Sequence, residues 1–119
     1  MANAALVIEW GMTKDGRELK AVEVFMSHMQ WWTELKTGGK IENFSSYGLT
    51  TGNMTARSGL VVIEGSTEQI DDLRHSEDFR VNLNRVINVV NNVNAQVAET
   101  GEAMMSRMQR FGKTVKELG

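Results

Sequence analysis

The stretch that decides the fold is RSGLVVIEGSTEQIDDLRHSEDF, from Arg57 to Phe79. It predicts a strand over Leu60–Glu64 and a helix that begins at Ser66. Ser66 and Gln69 have the spacing of a capping box, in which the serine side chain accepts the Gln69 N–H while the glutamine side chain reaches back. The helix is expected to break near His75 and to restart, so this stretch supplies a strand followed by a two-piece helix.

Working outward from this stretch, apolar periodicity predicts three more strands and two more helices. Asp15 is the expected N-cap of the first helix, and glycines end that helix. The predicted elements are strand Ala4–Thr13, helix Arg17–Thr37, strand Ile41–Thr50, strand Leu60–Glu64, the broken helix from Ser66 to Val90, strand Val93–Glu99 and helix Glu102–Leu118.

The resulting order is β-α-β-β-α-β with an additional C-terminal helix, a ferredoxin-like α+β pattern. Residues 1–100 are predicted to form this four-stranded antiparallel domain, and residues 101–119 an amphipathic helix that packs on its own or a partner subunit. Right-handed crossovers place the first and third strands in the middle, with the helices on one face. Both faces of the central strands are too apolar for either to meet water, so we expect a homodimer that closes over the face without helices. One face carries Leu6, Ile8, Trp10, Val61 and Ile63, and the other Val7, Glu9, Gly11, Leu60, Val62 and Glu64.

Composition narrows the classes of function. A chain of 119 residues with a formal net charge of −2 does not favour nucleic-acid binding over its whole surface. The absence of cysteine excludes disulfides and thiolate metal sites. The apolar run at Ala4–Ile8 is too short for a signal peptide or a membrane span, which makes a cytoplasmic protein without membrane association the expectation. Neither a metal nor a cofactor is expected.

A family resemblance lies in the β-α-β-β-α-β order combined with Leu73–Phe79, where the helix breaks at a Ser-x-x-aromatic step. Residues 4 to 99 thereby resemble the dimeric α+β barrel superfamily, whose members include cofactor-free monooxygenases, muconolactone isomerases, haem-degrading enzymes and stress-responsive proteins. The haem-degrading branch has an aromatic residue before this step and a histidine further along the helix. In this chain His75 stands where that branch has the aromatic residue. The helix after Phe79 contains Arg80 and Arg85 but no histidine, so haem ligation is not expected.

Three side chains are candidates for acid–base catalysis: Glu9, Glu64 and His75. If Glu9 stands opposite Leu60, it lies about four residues, or ~13 Å, from Glu64, so the two carboxylates do not form a dyad within one chain. The alternative for each glutamate is polarity at the barrel mouth or a salt bridge. The alternative for His75 is that a ring nitrogen caps a carbonyl at the helix break.

Four side chains are candidates for ligand binding. Trp10, Tyr47 and Asn43 could line a cavity between the sheet and the helices or at the barrel, where an aromatic body with one polar handle suits a small aromatic molecule. Plain core packing is the alternative. His28 is the fourth candidate, and the helical wheel puts it on the flank of the first helix.

The packing candidates lie on two helices. Trp31 is expected to point away from the core-facing stripe of Val22, Met26 and Met29, so a cover is needed over it. The stripe on the last helix would provide that cover from the same chain or the partner. Docking of this helix to an anionic membrane or partner is the alternative, because basic side chains flank the stripe. The stripe consists of Met104, Met108, Phe111, Val115 and Leu118, and the basic residues are Arg107, Arg110, Lys113 and Lys116.

These features favour a dimeric protein that binds a small, partly apolar or aromatic molecule or converts it without a cofactor. The alternative is a non-catalytic stress-response or assembly protein whose function is the dimer itself or the surface of the last helix. Fold resemblance does not choose between them, because one fold supports many functions.

Overall fold

Four strands and four helices form the chain, and the structure, a computed structural model, describes residues 2–119. The elements in order are β1 (Ala4–Trp10), α1 (Glu18–Thr37), β2 (Asn43–Gly48), β3 (Gly59–Gly65), α2 (Thr67–Arg74), α3 (Glu77–Val89), β4 (Asn94–Glu99) and α4 (Gly101–Leu118). The predicted β-α-β-β-α-β order with a terminal helix is confirmed, with α2 and α3 as the two pieces of the broken helix.

The strands form one antiparallel sheet in the order β2-β3-β1-β4, with β1 and β3 in the middle as predicted. Glu9 pairs with Leu60, so the register expected between these strands is also confirmed. Leu6 and Ile8 of β1 and Ile63 of β3 are buried in one core with residues of α1, α2 and α3. One face of the sheet therefore packs against the helices, and the other face carries the alternate residues.

The junction between β3 and α2 is set by local hydrogen bonds. The hydroxyl of Ser66 accepts the Gln69 N–H at 3.1 Å, and Oε1 of Gln69 accepts the Ser66 N–H at 2.8 Å, which completes the predicted capping box. At the break, His75 ends α2 and the side chain of Ser76 accepts the Phe79 N–H at 3.2 Å to begin α3. The side chains of Ser66 and Ser76 thus each satisfy one backbone N–H of a first helical turn, which has no partner within the helix.

Most element boundaries differ from the prediction by one or two residues, and two further differences lie between β1 and α1. β1 ends at Trp10 rather than Thr13, because the Gly11 N–H leaves the strand ladder and donates to the carbonyl of Asn91 at 2.7 Å. The N-cap of α1 is Arg17, without a side-chain cap, rather than Asp15. Both differences lie in connections whose backbone partners come from distant parts of the chain.

The buried face of α1 is the main correction. Ala21, Val24, His28 and Trp32 are buried, whereas the predicted core stripe of Val22, Met26 and Met29 is exposed. His28 is only 6% exposed, so its predicted place on the flank is wrong. The centres of the two stripes lie about 120° apart around the helix at about 100° per residue, so the predicted stripe falls on the flank of the buried one.

Besides the exposed stripe of α1, two apolar surfaces have no cover within the chain that the structure describes. On the open face of the sheet, Val7, Leu60 and Val62 are only half-buried. The second surface is α4, in which none of residues 101–118 is buried. The Cα radius of gyration is 16.5 Å, whereas a compact domain of this length has about 13.5 Å, which is consistent with an extended α4.

Candidate functional site

A cavity lies between the helix-covered face of the sheet and the helices α1 and α3. Its volume is about 30 Å³, enough for about one water molecule and less than the ~150 Å³ of an apolar cavity that holds benzene. Aromatic and aliphatic side chains form most of its wall, together with a few polar ones. The lining residues are Ile8, Trp10, Phe25, His28, Met29, Trp31, Trp32, Ser46, Val61, Phe79, Asn82, Leu83 and Val86.

His28 is the most unusual side chain of this wall, because it is a buried histidine among aromatic rings. Its Nε2 atom is buried and has no hydrogen-bond partner in residues 2–119. Desolvation lowers the pKa of His28 below the ordinary value of 6.5; the polar side chain of Asn82, which is near the ring but forms no hydrogen bond with Nε2, opposes this effect, and the positive charge of Arg85 lowers the pKa further. His28 is therefore neutral at physiological pH.

Two pairs of stacked rings hold the cavity wall in place. The ring centroids of Trp31 and Trp32 are 4.4 Å apart, and those of Trp10 and Phe25 are 4.8 Å apart. The His28 ring lies 6.0 Å from that of Trp31. Trp31, predicted as a packing residue beneath the last helix, is thus half-buried in this aromatic cluster.

An open groove of about 570 Å³ runs between α1 and α3 and shares His28 with the cavity. Arg17 and Arg85 lie on its two sides. Amide oxygens hold both guanidinium groups, since Arg17 donates to Oδ1 of Asn88 and Arg85 donates to Oδ1 of Asn82 at 2.9 Å. No carboxylate among residues 2–119 forms an ion pair with either arginine, so their positive charge remains available to a ligand.

Of the predicted ligand-binding residues, the structure brings Trp10 and His28 to the cavity. Ser46 of β2 lines it, so the adjacent Tyr47 belongs to the opposite face of the strand and is 53% exposed. Asn43 lies at the start of β2, where its Oδ1 accepts a hydrogen bond from Lys36 at 3.2 Å. Tyr47 and Asn43 therefore do not share a cavity with Trp10.

The predicted catalytic residues lie apart from the cavity. Glu9 accepts a hydrogen bond from Nε of Arg57 at 2.9 Å, so this carboxylate is already paired. Glu64 lies opposite Asn43 near the other end of β3. His75 is exposed, and its Nδ1 is 2.7 Å from the carbonyl of Asp71, the capping role given above as the alternative.

Two polar residues of α3, Asn82 and Arg85, were not predicted as site residues. They reach His28 only because α1 and α3 pack side by side. The spacing of Ala21, Val24, His28 and Trp32 was the available signal, since it is as helical as that of the exposed stripe. Within the described range 2–119, no group of three or more histidine, aspartate or glutamate side chains could hold a metal ion.

Comparison with known proteins gives one informative match. No protein family and no curated protein matches the chain in sequence. A dimeric protein of unknown function from Bacteroides fragilis NCTC 9343, described as having a ferredoxin-like fold, superposes with a TM-score of 0.61 at 8% identity. The match covers 82% of this chain and 95% of that one.

No helix in the part of the chain that the structure describes is long and apolar enough to cross a membrane. The topology and the structural match together give the fold. The chain has a ferredoxin-like α+β fold with an additional C-terminal helix.

Proposed function

We propose that the protein is a homodimer that binds a small, partly apolar or aromatic molecule beside His28. The observation that carries this proposal is the buried Nε2 of His28, which lacks a protein partner and lies in an aromatic wall. A buried polar atom without a partner costs about 1–3 kcal/mol. Such an atom persists where a ligand or an ordered water forms the missing hydrogen bond.

Neutral His28 suits a ligand that carries a hydroxyl or an acidic group. Because the lowered pKa keeps the imidazole neutral, Nε2 can donate a hydrogen bond to a carboxylate in one tautomer, and in the other it can accept a hydrogen bond or a proton from a hydroxyl. Conversion of the ligand without a cofactor would use this proton transfer. Simple binding would use only the hydrogen bond.

The size of the cavity requires part of its wall to move when a ring enters. Met29 is the residue best suited to move, because it lines the cavity, is 39% exposed and ends in a flexible thioether. Displacement of this side chain would open the cavity toward β2, where Ser46 contacts the Met29 sulfur at 3.2 Å. The stacked tryptophans would stay in place as the rigid wall.

The groove between α1 and α3 supports an acidic group on the ligand. Arg85 is held by the amide of Asn82 and brings positive charge beside His28, whereas Arg17 lies about 16 Å farther along the groove at the start of α1. A carboxylate there would gain charge-assisted hydrogen bonds, which are about twice as strong as neutral ones. We therefore propose an aromatic or aliphatic acid as the ligand class.

The open face of the sheet supports the homodimer. Val7, Leu60 and Val62 lie on its central strands and are half-buried in a single chain. A second copy placed over this face would bury them symmetrically. The match from B. fragilis, which shares the fold, is described as dimeric.

Binding of benzoate, followed by the fluorescence of the tryptophans at the cavity, tests this function. Wild-type protein should bind benzoate more tightly than benzamide, and Arg85→Gln should abolish that difference. His28→Phe should weaken binding of both by at least about tenfold, the loss of roughly one hydrogen bond. His75→Asn is the matched control and should bind like wild type. Equal binding by the His28→Phe and wild-type proteins would refute the site.

A second candidate function is that of a non-catalytic stress-response or assembly protein. The observation in its favour is the continuous exposed apolar surface of α4. The two candidate functions predict different behaviour of the cavity. An assembly protein would bind neither benzoate nor other small aromatic acids. In such a protein His28→Phe would increase the stability without any loss of function.

A further inference from the structure

We propose that α4 packs on the outer face of α1 of a second copy of this chain, so that two subunits exchange their last helices. The inference rests on the homodimer and is independent of the ligand. Two apolar seams in the same chain, both uncovered, carry it.

The first seam is on α4 and follows a strict heptad spacing of four and three residues. Its side chains are between 44% and 84% exposed, and no residue of Gly101–Leu118 is buried. Such spacing is typical of a helix that packs along its whole length against another helix. The seam residues are Met104, Met108, Phe111, Val115 and Leu118.

The second seam is on α1 and has the same heptad spacing. Leu19, Val22, Met26 and Met29 are between 39% and 84% exposed and lie outside the buried stripe of α1, and Met29 at one end of the seam also contacts Ser46 of β2. A helix that packs on a sheet needs only one apolar stripe, so a second stripe indicates a second packing surface. Leu19 to Met29 spans about 15 Å and the α4 seam about 21 Å at about 1.5 Å per residue, so one seam can cover the other.

The α4 helix requires such a surface in order to be stable. Most of the stability of a helix in a protein comes from packing of its apolar face, which α4 lacks in the single chain, and Gly112 in its middle weakens it further. Thr100 alone connects it to β4, and Gly101 begins it with a φ of 57°. This short connection leaves α4 little freedom to fold back over its own subunit. In the single chain the α1 seam is accordingly exposed.

Charge favours α1 over a second α4 as the occupant. The α4 segment carries four basic residues and two glutamates, whereas α1 carries three glutamates and two lysines. Pairing α4 with another α4 would bring two positively charged helices together and leave both α1 seams uncovered. Reciprocal exchange pairs opposite net charges and covers all four seams of the dimer.

Cross-linking tests the exchange, because the chain contains no cysteine. One preparation carries Met26→Cys, and others each carry one cysteine at position 104, 108, 111 or 115. The Met26→Cys chain is unfolded, refolded with each of the others and oxidised. We expect a covalent heterodimer with at least one seam position. Lys113→Cys, on the opposite side of α4, is the control and should give none.

Each other occupant gives a different result. A covalent homodimer of Phe111→Cys alone, without heterodimers, would show that α4 pairs with α4. A disulfide that forms within one chain of the Met26→Cys/Phe111→Cys double variant would show packing on its own subunit. Absence of every cross-link, with sedimentation of the full chain on vesicles of anionic lipid, would show membrane docking. Any of these results would overturn the exchange.

A second measurement does not depend on disulfide geometry. Phe111→Asp places a charge in the proposed interface, whereas Arg110→Asp places one about 100° away around the helix, outside the seam. Phe111→Asp should raise the dissociation constant of the dimer at least about tenfold, and Arg110→Asp should change it less. Far-UV circular dichroism of the two variants at high concentration checks that both fold. Equal dissociation constants for the two variants would contradict the proposal.

Discussion

Trp10 and Gly59 face each other across β1 and β3, and the indole lies directly over the glycine. A Cβ built at Gly59 would be 2.7 Å from Cζ2 of Trp10, closer than carbon atoms approach in proteins. Since Trp10 also stacks on Phe25 and lines the cavity, the missing side chain of Gly59 positions part of the candidate site.

Substitution of Gly59 by alanine should therefore displace the indole. We expect Gly59→Ala to lower the free energy of unfolding by about 1–3 kcal/mol, the usual cost of overpacking, and to shift the tryptophan fluorescence. Gly48 pairs with Gly59 on β2, and a Cβ there meets no atom within 4 Å. Gly48→Ala is the matched control and should stay within about 0.5 kcal/mol of wild type in urea denaturation. Equal stabilities would show that the indole moves freely.

The lowered pKa of His28 makes stability depend on pH. Above the unfolded-state pKa of 6.5 the histidine is neutral in both states, whereas below it the unfolded state binds the proton first. The free energy of unfolding should therefore fall as pH drops from 6.5 through the lower pKa of the folded protein. His28→Phe should remove this part of the pH dependence, and His75→Asn should retain it. A His28→Phe profile with an unchanged slope between pH 7 and 5, read from urea denaturation, would contradict burial of a neutral histidine.

The Glu9–Arg57 pair should act in stability rather than in ligand binding. Arg57 donates to Glu9 at 2.9 Å and to the carbonyls of Ala56 and Asn92, which ties a loop to β1 and to the start of β4. Because both side chains are partly exposed, we expect a coupling of only about 0.5–1 kcal/mol in a double-mutant cycle of Glu9→Gln and Arg57→Gln. Glu9→Gln should leave benzoate binding unchanged. A loss of binding in that variant would restore Glu9 as a site residue.

Features determined by neighbouring residues could be predicted from the sequence. The capping box at Ser66 and Gln69 depends on four consecutive residues, and the break before Phe79 depends on Ser76, so local chemistry decides both. The antiparallel pairing of the first and third strands followed from the chosen topology, and the register assumed for it, with Glu9 opposite Leu60, agrees with the structure. Trp10 lines a cavity between the sheet and the helices, which is one of the alternatives that the sequence left open beside plain core packing.

The orientation of α1 could not be predicted, for a physical reason. This helix carries two stripes with helical spacing, and the larger side chains of Val22 and Met26 lie on the outer one. Periodicity shows that a stripe exists and not which surface covers it. His28 was consequently placed on the flank. Arg85 was missed because its approach to His28 depends on how α1 and α3 pack, a relation between distant parts of the chain.

The most direct test of a ligand site at His28 is nuclear magnetic resonance of protein labelled with ¹⁵N in its histidine rings. The chain has two histidines, so His28→Phe assigns both signals. Added benzoate should shift the ring nitrogens of His28 and leave those of His75 in place. Benzoate should also raise the pKa of His28, because a bound carboxylate offsets the charge of Arg85. Unchanged His28 resonances at saturating benzoate, or equal shifts at both histidines, would contradict the site.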